Sequence, residues 1–264
     1  MKKYFLIAKI AWDEMLIYRT SFIMWRVRII LQLLTMYFLW LAILSSDRLL
    51  LGYTQSGMLT YILGTSLVTS IVLSSRSYAV GEEINSGNLL NFLIRPINYF
   101  TYWFSKDIGD KTLNIIFSIF ELIILFFILH PPLFFQTKII YLILFIFSIS
   151  IALVNYFFFN ILLGLVGFWS PEVWAPRFIF ITLLSFFAGG LFPLDILPKS
   201  IFHILQLLPF TYFLYFPLKI YLGSLSVNEI LFGLFISSAW TFILYSIVRF
   251  IWSKGLKVYT AYGR

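Results

Sequence analysis

Long apolar runs dominate the chain and alternate with short polar stretches. They cover residues 22–44, 56–73, 113–129, 139–168, 178–191 and 230–252. About 20 apolar residues in a helix cross the hydrocarbon layer of a bilayer, so each run is a candidate span. The short fifth run is expected to continue back to Trp174, and the fourth is long enough to tilt or to project beyond the bilayer. The pattern predicts an all-α integral membrane protein with six transmembrane helices in one domain, residues 1–264.

The composition supports this prediction. Hydrophobic residues make up 61% of the 264 residues and charged residues 11%, whereas soluble domains average about 45–50% and about 25%. A soluble enzyme, a disordered chain and a secreted disulfide scaffold are therefore excluded. Six spans leave no room for a nucleotide-binding domain. Cysteine is absent, which excludes thiol catalysis, disulfides and Cys-ligated metals.

The distribution of positive charge predicts the orientation. Of the 19 Lys and Arg residues, 15 fall on one predicted side of the membrane, including Arg26 and Arg28 before or at the start of the first run. Only four fall on the other side: Arg48, Lys138, Lys199 and Lys219. The positive-inside rule then predicts cytoplasmic N- and C-termini. The basic residues form no face interleaved with stacking aromatics, so no nucleic-acid binding is predicted.

Residues 1–21 have the pattern of a helix that lies in the cytoplasmic interface. At 100° per residue, Lys2, Lys9 and Asp13 fall on one narrow face. The opposite surface is broad and apolar and includes Phe5 and Trp12. Such a helix lies in the plane of the interface, either as an anchor only or with a further role.

Residues 81–111 form the longest predicted cytoplasmic loop. Glu82 and Glu83 would stand at the positive end of a short amphipathic helix, and Pro96 would stop that helix near Arg95. A second amphipathic stretch follows, with Lys106/Asp110 and Asp107/Lys111 as candidate i,i+4 pairs. A rigid helix between two spans suits the docking of a cytosolic partner, and a solvated connecting loop is the alternative.

Residues 189–223 lie on the predicted outer side and are apolar. Four prolines interrupt them: Pro193, Pro198, Pro209 and Pro217. Prolines at this spacing permit only short helices, so we expect two re-entrant helices that dip into the outer leaflet. The alternative is a proline-kinked seventh span, which would place the positively charged C-terminus outside.

Three short patterns are similar to catalytic motifs but lack a required residue. A phosphate-binding loop needs adjacent Gly-Lys, and Asp110 separates Gly109 from Lys111. A prenyl-processing metalloprotease would have arginine four residues after Glu83, where Gly87 stands. The only histidines, His130 and His203, are too few for a metal site. No catalytic residue and no metal site are predicted, which argues against an intramembrane hydrolase.

Glu121 is the one carboxylate well inside a predicted span. An ionisable residue within the membrane is a functional hypothesis by default. Glu121 could bind a cation, carry a proton or hydrogen-bond a neighbouring helix. The second run also has a polar face that includes Ser66, Thr69 and Ser70, suited either to helix packing or to the lining of a pathway.

Four patches, in order along the chain, resemble a known family. They are Glu83 with Gly87, Leu89, Leu90 and Leu93-Ile94-Arg95-Pro96; Phe168-Trp169; Gly189-Gly190-Leu191-Phe192-Pro193-Leu194 with Pro198; and Leu208-Pro209-Phe210 with Pro217 and Leu222-Gly223. This set is similar to the permeases of ATP-binding-cassette (ABC) exporters of the type-2 class. The likeness is strongest to a compact bacterial branch encoded in permease pairs. Asn85 stands where that family often has a basic residue.

The resemblance implies a G-type (type V) exporter fold with an N-terminal interfacial helix, a cytoplasmic coupling helix and external re-entrant helices. It implies a non-catalytic permease that moves an unidentified substrate across the bacterial inner membrane by ATP-driven alternating access. ATP and Mg would bind to a dimer of cytosolic ATPase subunits and not to this chain. The other partners would be membrane lipid and a second permease, with a different paralogue favoured over a homodimer.

The resemblance also implies roles for particular residues. Coupling to the ATPase would use Glu82, Glu83, Gly87, Leu89, Leu90, Arg95 and Pro96. The external gate would contain Gly189, Gly190, Pro193, Pro198, Pro209, Phe210 and Pro217. Candidate pathway residues are Ser66, Thr69, Ser70, Glu121, Thr182 and Ser185. The competing hypothesis is a proton- or ion-coupled secondary transporter that uses Glu121.

Overall fold

A computed structural model describes residues 2–44, 49 and 51–259. Within these residues the chain forms eleven α-helices joined by turns and short 3₁₀ helices. They are α1 (Lys2–Ile17), α2 (Arg19–Ile43), α3 (Gln55–Val72), α4 (Val80–Asn85), α5 (Leu90–Leu93), α6 (Tyr99–Leu129), α7 (Ile139–Leu165), α8 (Trp174–Phe187), α9 (Lys199–Leu207), α10 (Tyr215–Tyr221) and α11 (Val227–Val258).

Among the described helices, four are individually long and apolar enough to cross a membrane: α2, α6, α7 with its 3₁₀ extension, and α11. The helix α3 and the segment Ser77–Asn85 form a pair bent by 47°, which counts as a fifth span if taken together. The helix α8 has 14 residues, or about 21 Å, which is shorter than the ~30 Å hydrocarbon layer. The chain is thus a multi-pass membrane protein with four or five clear spans.

The helix α8 ends earlier than the apolar run predicts because Gly189 turns the chain. Gly189 has φ +84°, and a Cβ at this position would lie 2.6 Å from the hydroxyl oxygen of Tyr61. That hydroxyl donates a hydrogen bond to the Gly189 carbonyl at 2.6 Å. The left-handed backbone and the close contact both favour glycine.

The helix α1 lies along the first half of α6. Their backbones approach closely where the carbonyl of Ala8 faces Gly109, with no room for a Cβ. Ala11 and Met15 are buried, while Phe5 and Ile10 stay exposed. The helix ends at Ile17, four residues before the predicted limit at 21, because Arg19 already belongs to α2.

The main apolar core joins α2, α3, α7 and α10 around Met58, Tyr61 and Phe213. Six consecutive residues of α10, 215–220, are buried. Part of the segment 189–223 therefore fills the interior of the bundle. A second core forms at the opposite end of α7, around Leu89, Trp103 and Leu165.

The two ends of the bundle differ in character. One end, which we call the charged end, carries the turn after α3, the helices α4 and α5, the first turns of α6 and the end of α11. The other, the proline-rich end, carries the residues before α3, the segment 193–198, α9 and the loop 130–138.

Candidate coupling segment and substrate cleft

The coupling segment, which we define as residues 76–98, packs at the charged end against the end of α7. A Cβ added to Gly164 would lie 2.7 Å from Cβ of Val80, and one added to Gly167 would lie 2.9 Å from the carbonyl oxygen of Gly81. Small residues let two backbones approach closely. The segment is therefore held directly against the end of a span. Residues 99–111 of the predicted loop belong to α6 instead.

The coupling segment contains two short helices, not the single helix predicted up to Arg95. The helix α4 ends at Asn85 and α5 begins at Leu90. Gly87 lies between them with φ +77°, a conformation that favours glycine. Leu89 is fully buried in the second core. The turn thus directs Leu89 inwards and anchors the segment.

Glu83 also faces the interior of the segment. Its carboxylate accepts hydrogen bonds from the Tyr99 hydroxyl at 2.8 Å and from Nε1 of Trp103 at 3.3 Å. Burial raises the pKa of Glu83, while these two donors and the nearby Lys106 act in the opposite direction. Glu83 therefore joins α4 to the first turns of α6.

Tyr259, just after α11, closes the turn from the other side. Its hydroxyl donates to the carbonyl of Gly87 at 2.7 Å and accepts from the backbone N–H of Leu90 at 3.2 Å. These bonds satisfy backbone groups that the break between α4 and α5 leaves free. No sequence motif marked Tyr259, because its partners are 169 and 172 residues away.

The outer surface of the coupling segment carries an apolar patch among polar residues. Leu90 and Leu93 are each 43% exposed, and Ile94 is 73% exposed. Among the predicted coupling residues, Glu82, Leu90, Arg95 and Pro96 are exposed, Glu83 and Gly87 are half-buried, and Leu89 is buried. The surface available to a partner is therefore centred on Leu90, Leu93 and Ile94, while Glu83 and Leu89 support it from below.

The bend between α3 and the coupling segment is held by two residues one turn apart on α6. Asp107 accepts hydrogen bonds from the backbone N–H groups of Arg76 at 2.8 Å and Ser77 at 3.1 Å. Lys111 donates to the carbonyls of Val72, at 2.9 Å, and Ser74. The carboxylate thus caps the start of one helical segment and the ammonium caps the end of the other.

A charged network surrounds this bend. The guanidinium of Arg76 bonds to Glu14 at 2.6 Å and to Asp110 at 2.8 Å, and Lys106 lies 3.1 Å from Glu14. Sequence reasoning paired Lys106 with Asp110 and Asp107 with Lys111 along one helix. In the fold these four side chains instead reach α1, the end of α3 and the start of the coupling segment, because the bend packs on that face of α6.

Glu121 lies in an ion pair inside the bundle. Nε of Arg26 is 2.7 Å from one carboxylate oxygen, a second nitrogen of the same guanidinium contacts the other oxygen, and Nη1 is 3.4 Å from the Ser70 hydroxyl. The two side chains are 5% and 11% exposed. Arg26, counted above as a flanking positive charge, is therefore a buried residue of α2 that joins α3 and α6.

A cleft of about 480 Å³ lies between α2, α3, α7 and α8 and extends to the bend. Of the predicted pathway residues, Ser66, Thr69, Ser70 and Ser185 line it. Thr182 is exposed and bonds to the backbone of its own helix. Glu121 does not line the cleft but bonds to Arg26. The cleft therefore contains most of the polar face predicted on the second run.

A second, partly buried network lies at the proline-rich end. Nζ of Lys219 is 3.0 Å from both the Tyr53 hydroxyl and Asp195, and the same hydroxyl donates to Asp195 at 2.8 Å. Lys219, counted above as one of the four outer positive charges, is buried in α10. The network joins the entry to α3, the segment after Pro193 and α10.

The predicted gate residues occupy several environments around this end. Gly189, Pro193, Pro209 and Pro217 are buried, Gly190 and Phe210 are half-buried, and Pro198 is exposed at the start of α9. Phe210 packs beside Phe159 and Phe180, with ring centroids 5.9 and 6.0 Å apart. Pro217 fits inside α10 because it occupies the first turn.

Comparison with known proteins identifies the family. A family model described as ABC-2 family transporter protein matches residues 30–263. The chain belongs to the ABC-2 transporter family. No curated protein matches the sequence.

Membership in the ABC-2 family confirms the resemblance to type-2 ABC permeases. ABC-2 permeases are membrane transport components, normally non-catalytic, and they associate with an ABC ATPase subunit. This ABC-2 permease is thus the membrane subunit of an ABC transporter. The helices α2, α6, α7 and α11, which are long and apolar enough to span, agree with that assignment.

Proposed function

We propose that this ABC-2 permease exports its substrate through the cleft by alternating access, driven by ATP hydrolysis on separate cytosolic subunits. A dimer of ATPases would bind the exposed surface of the coupling segment and carry the ATP and Mg. Closure of that dimer on ATP would push the segment towards the bundle. The bend and α3 would then transmit the displacement to the cleft wall.

The observation that carries this proposal is the connection between the exposed apolar surface and the cleft. Leu90, Leu93 and Ile94 lie on a segment whose start is bonded to Asp107 of α6. Lys111, one turn further along the same helix, is bonded to the end of α3. Because α3 lines the cleft, a push on the segment has a short mechanical path to it.

The membrane arrangement is part of the proposal. The charged end would face the cytoplasm of a bacterial cell, with both termini on that side of the inner membrane. The helix α8 together with the turn after it would form the fifth of the six spans of a G-type exporter fold, and α1 would lie in the interface. A second permease, a different paralogue rather than a second copy, would complete the transporter.

The ion pair between Arg26 and Glu121 favours a structural role for Glu121 over proton or ion coupling. The guanidinium of Arg26 bonds to both oxygens of this carboxylate and so ties α2 to α6. Removing one partner of a buried pair leaves an uncompensated charge. The secondary-transporter hypothesis therefore has weaker support than ATP-driven export.

The test is to replace exposed coupling residues and follow both ATPase binding and transport. Leu93→Asp and Ile94→Asp place a charge on the proposed contact, so ATPase co-purification is expected to fall at least about ten-fold. Leu93→Met and Ile94→Val are the matched controls that keep the surface apolar. Full ATPase binding by both Asp variants would contradict the proposed contact.

A further inference from the structure

The cleft contains three guanidinium groups, Arg28, Arg76 and Arg177, near the charged end. Arg76 is already neutralised by Glu14 and Asp110. Among the described residues, neither Arg28 nor Arg177 has a carboxylate within ion-pair distance. Among the lining residues that the structure describes, Asp110 is the only carboxylate. This described lining is therefore net positive.

Aromatic rings hold the two unpaired guanidinium groups in place. The central carbon of Arg28 lies 4.0 Å from the ring centroid of Trp25, and that of Arg177 lies 3.5 Å from the ring centroid of Tyr78. Stacking on a ring engages the flat face of a guanidinium and leaves its N–H edge free. That edge is suited to bidentate bonds with phosphate or carboxylate oxygens.

The polarity of the cleft changes along its length. Towards the proline-rich end its walls include Met36, Ile62, Leu191 and Leu214. Along α3, the distance from Ile62 to the last helical residue, Val72, corresponds to about 15 Å. One end of the cleft is thus cationic and the other apolar.

Resting on the export function proposed above, we propose that the cleft binds an anionic amphiphile. Its phosphate or carboxylate headgroup would bond to Arg28 and Arg177, and its hydrocarbon part would lie against the apolar walls. A soluble anion would bond only to the two arginines. A neutral amphiphile would contact only the apolar walls. The preferred ligand combines a negative headgroup with a hydrocarbon chain.

The experiment compares three probes on the purified full-length permease in neutral detergent by native mass spectrometry. They are phosphatidic acid, phosphatidylcholine with the same acyl chains, and glycerol phosphate without chains. Phosphatidic acid is expected to bind about ten-fold more tightly than phosphatidylcholine, whose choline cation offsets the phosphate charge. It is expected to bind about ten-fold more tightly than glycerol phosphate, which lacks the acyl chains. Equal binding of the two lipids would overturn the proposal. Glycerol phosphate as tight as phosphatidic acid would overturn the requirement for a chain.

Matched variants locate the binding site. Arg28→Gln and Arg177→Gln should each remove most of the preference for phosphatidic acid, while Arg28→Lys and Arg177→Lys should retain part of it. Arg249→Gln removes the same charge from the exposed surface of α11 and should leave the preference unchanged. Equal losses in all three Gln variants would assign the preference to net charge and overturn the cleft site.

This assay needs no ATPase, so it separates the ligand from the transport mechanism. Selective lipid binding by a chain that captures no ATPase would contradict the proposed function and leave the ligand class standing. ATP-dependent transport without lipid selectivity would support the proposed function and contradict the ligand class.

Discussion

The carboxylate of Glu83 and the hydroxyl of Tyr259 hold the same turn of the coupling segment from opposite sides. Glu83 bonds to Tyr99 and Trp103 at the start of α6. Tyr259 bonds to the backbone on either side of the break between α4 and α5. The exposed residues nearby therefore rest on a turn supported by two spans. The conformation of the exposed surface therefore depends on hydrogen bonds made by residues beneath it.

The raised pKa of Glu83 predicts a pH dependence of stability. A carboxyl with a raised folded-state pKa binds its proton more tightly in the folded protein than in the unfolded chain. The contribution of Glu83 to the free energy of unfolding is therefore greatest below its ordinary pKa. It is lost as the pH rises through the raised value.

Glu83→Gln cannot ionise and should escape this loss. The thermal midpoint of the variant minus that of the wild type should increase as the pH rises from about 5 to about 8. Asn88→Ala supplies the control, because it changes an exposed residue of the same segment without removing an ionisable group, so its difference from the wild type should not depend on pH. Parallel curves for wild type and Glu83→Gln would show that Glu83 does not titrate in this environment.

At the scale of elements, the bend between α3 and the coupling segment determines whether a push at the surface reaches the cleft. Asp107 and Lys111 hold its two sides from one face of α6. Each cap is a charged group bonded to backbone groups that helix ends leave free. The two helical segments are thus fixed to the same rigid support.

Asp107→Ala should uncouple ATPase binding from transport. The N–H groups of Arg76 and Ser77 would lose their acceptor, at about 1–3 kcal/mol per buried group, while the exposed surface at Ile94 would keep its composition. ATPase co-purification should therefore stay near the wild-type level while transport in vesicles falls at least about ten-fold.

Two further variants make that result interpretable. Asp107→Asn keeps an acceptor oxygen and should lie between Asp107→Ala and the wild type. Asp13→Ala removes an exposed carboxylate from α1 and should change neither readout. Transport at the wild-type rate in Asp107→Ala would show that the bend does not transmit the motion. A parallel loss of ATPase binding would show that Asp107 is needed only for folding.

The positions of helices can be predicted from the sequence where they depend on apolar runs and prolines within the same segment. The long runs that became α2, α3, α7 and α11 are apolar over enough residues to be recognised without their neighbours. The end of α8 was missed because it depends on the contact between Tyr61 and Gly189, which are far apart in sequence. The end of α1 was missed because α2 starts as a separate helix at Arg19.

The candidate site could be predicted only in part, for a similar reason. Hydroxyl spacing along the second run indicated Ser66, Thr69 and Ser70, which line the cleft. Arg28 and Arg177 join that cleft from helices about 150 residues apart in sequence, which no local pattern reveals. Counting charges per loop likewise treated Arg26 and Lys219 as flanking residues, although each is buried and forms an ion pair.

At the scale of the whole molecule, the membrane orientation decides which end meets the ATPase. The absence of cysteine from the chain permits single-cysteine labelling without removal of native thiols. Asn91 and Lys254 are exposed near the charged end, and Ser200 is exposed near the proline-rich end. With the proposed six spans, a membrane-impermeant maleimide should label Ser200→Cys in intact cells. Asn91→Cys and Lys254→Cys should react only after the membrane is opened.

Lys254→Cys distinguishes the six-span arrangement from a proline-kinked seventh span. If residues 189–223 crossed the bilayer, α11 would run in the opposite direction and Lys254→Cys would react from outside while Asn91→Cys stayed protected. The burial of residues 215–220 inside the bundle, together with the bonds from Tyr259 to the coupling segment, requires both positions to lie on one side. Lys254→Cys and Asn91→Cys should therefore be protected together, and opposite labelling of the two would contradict the six-span orientation.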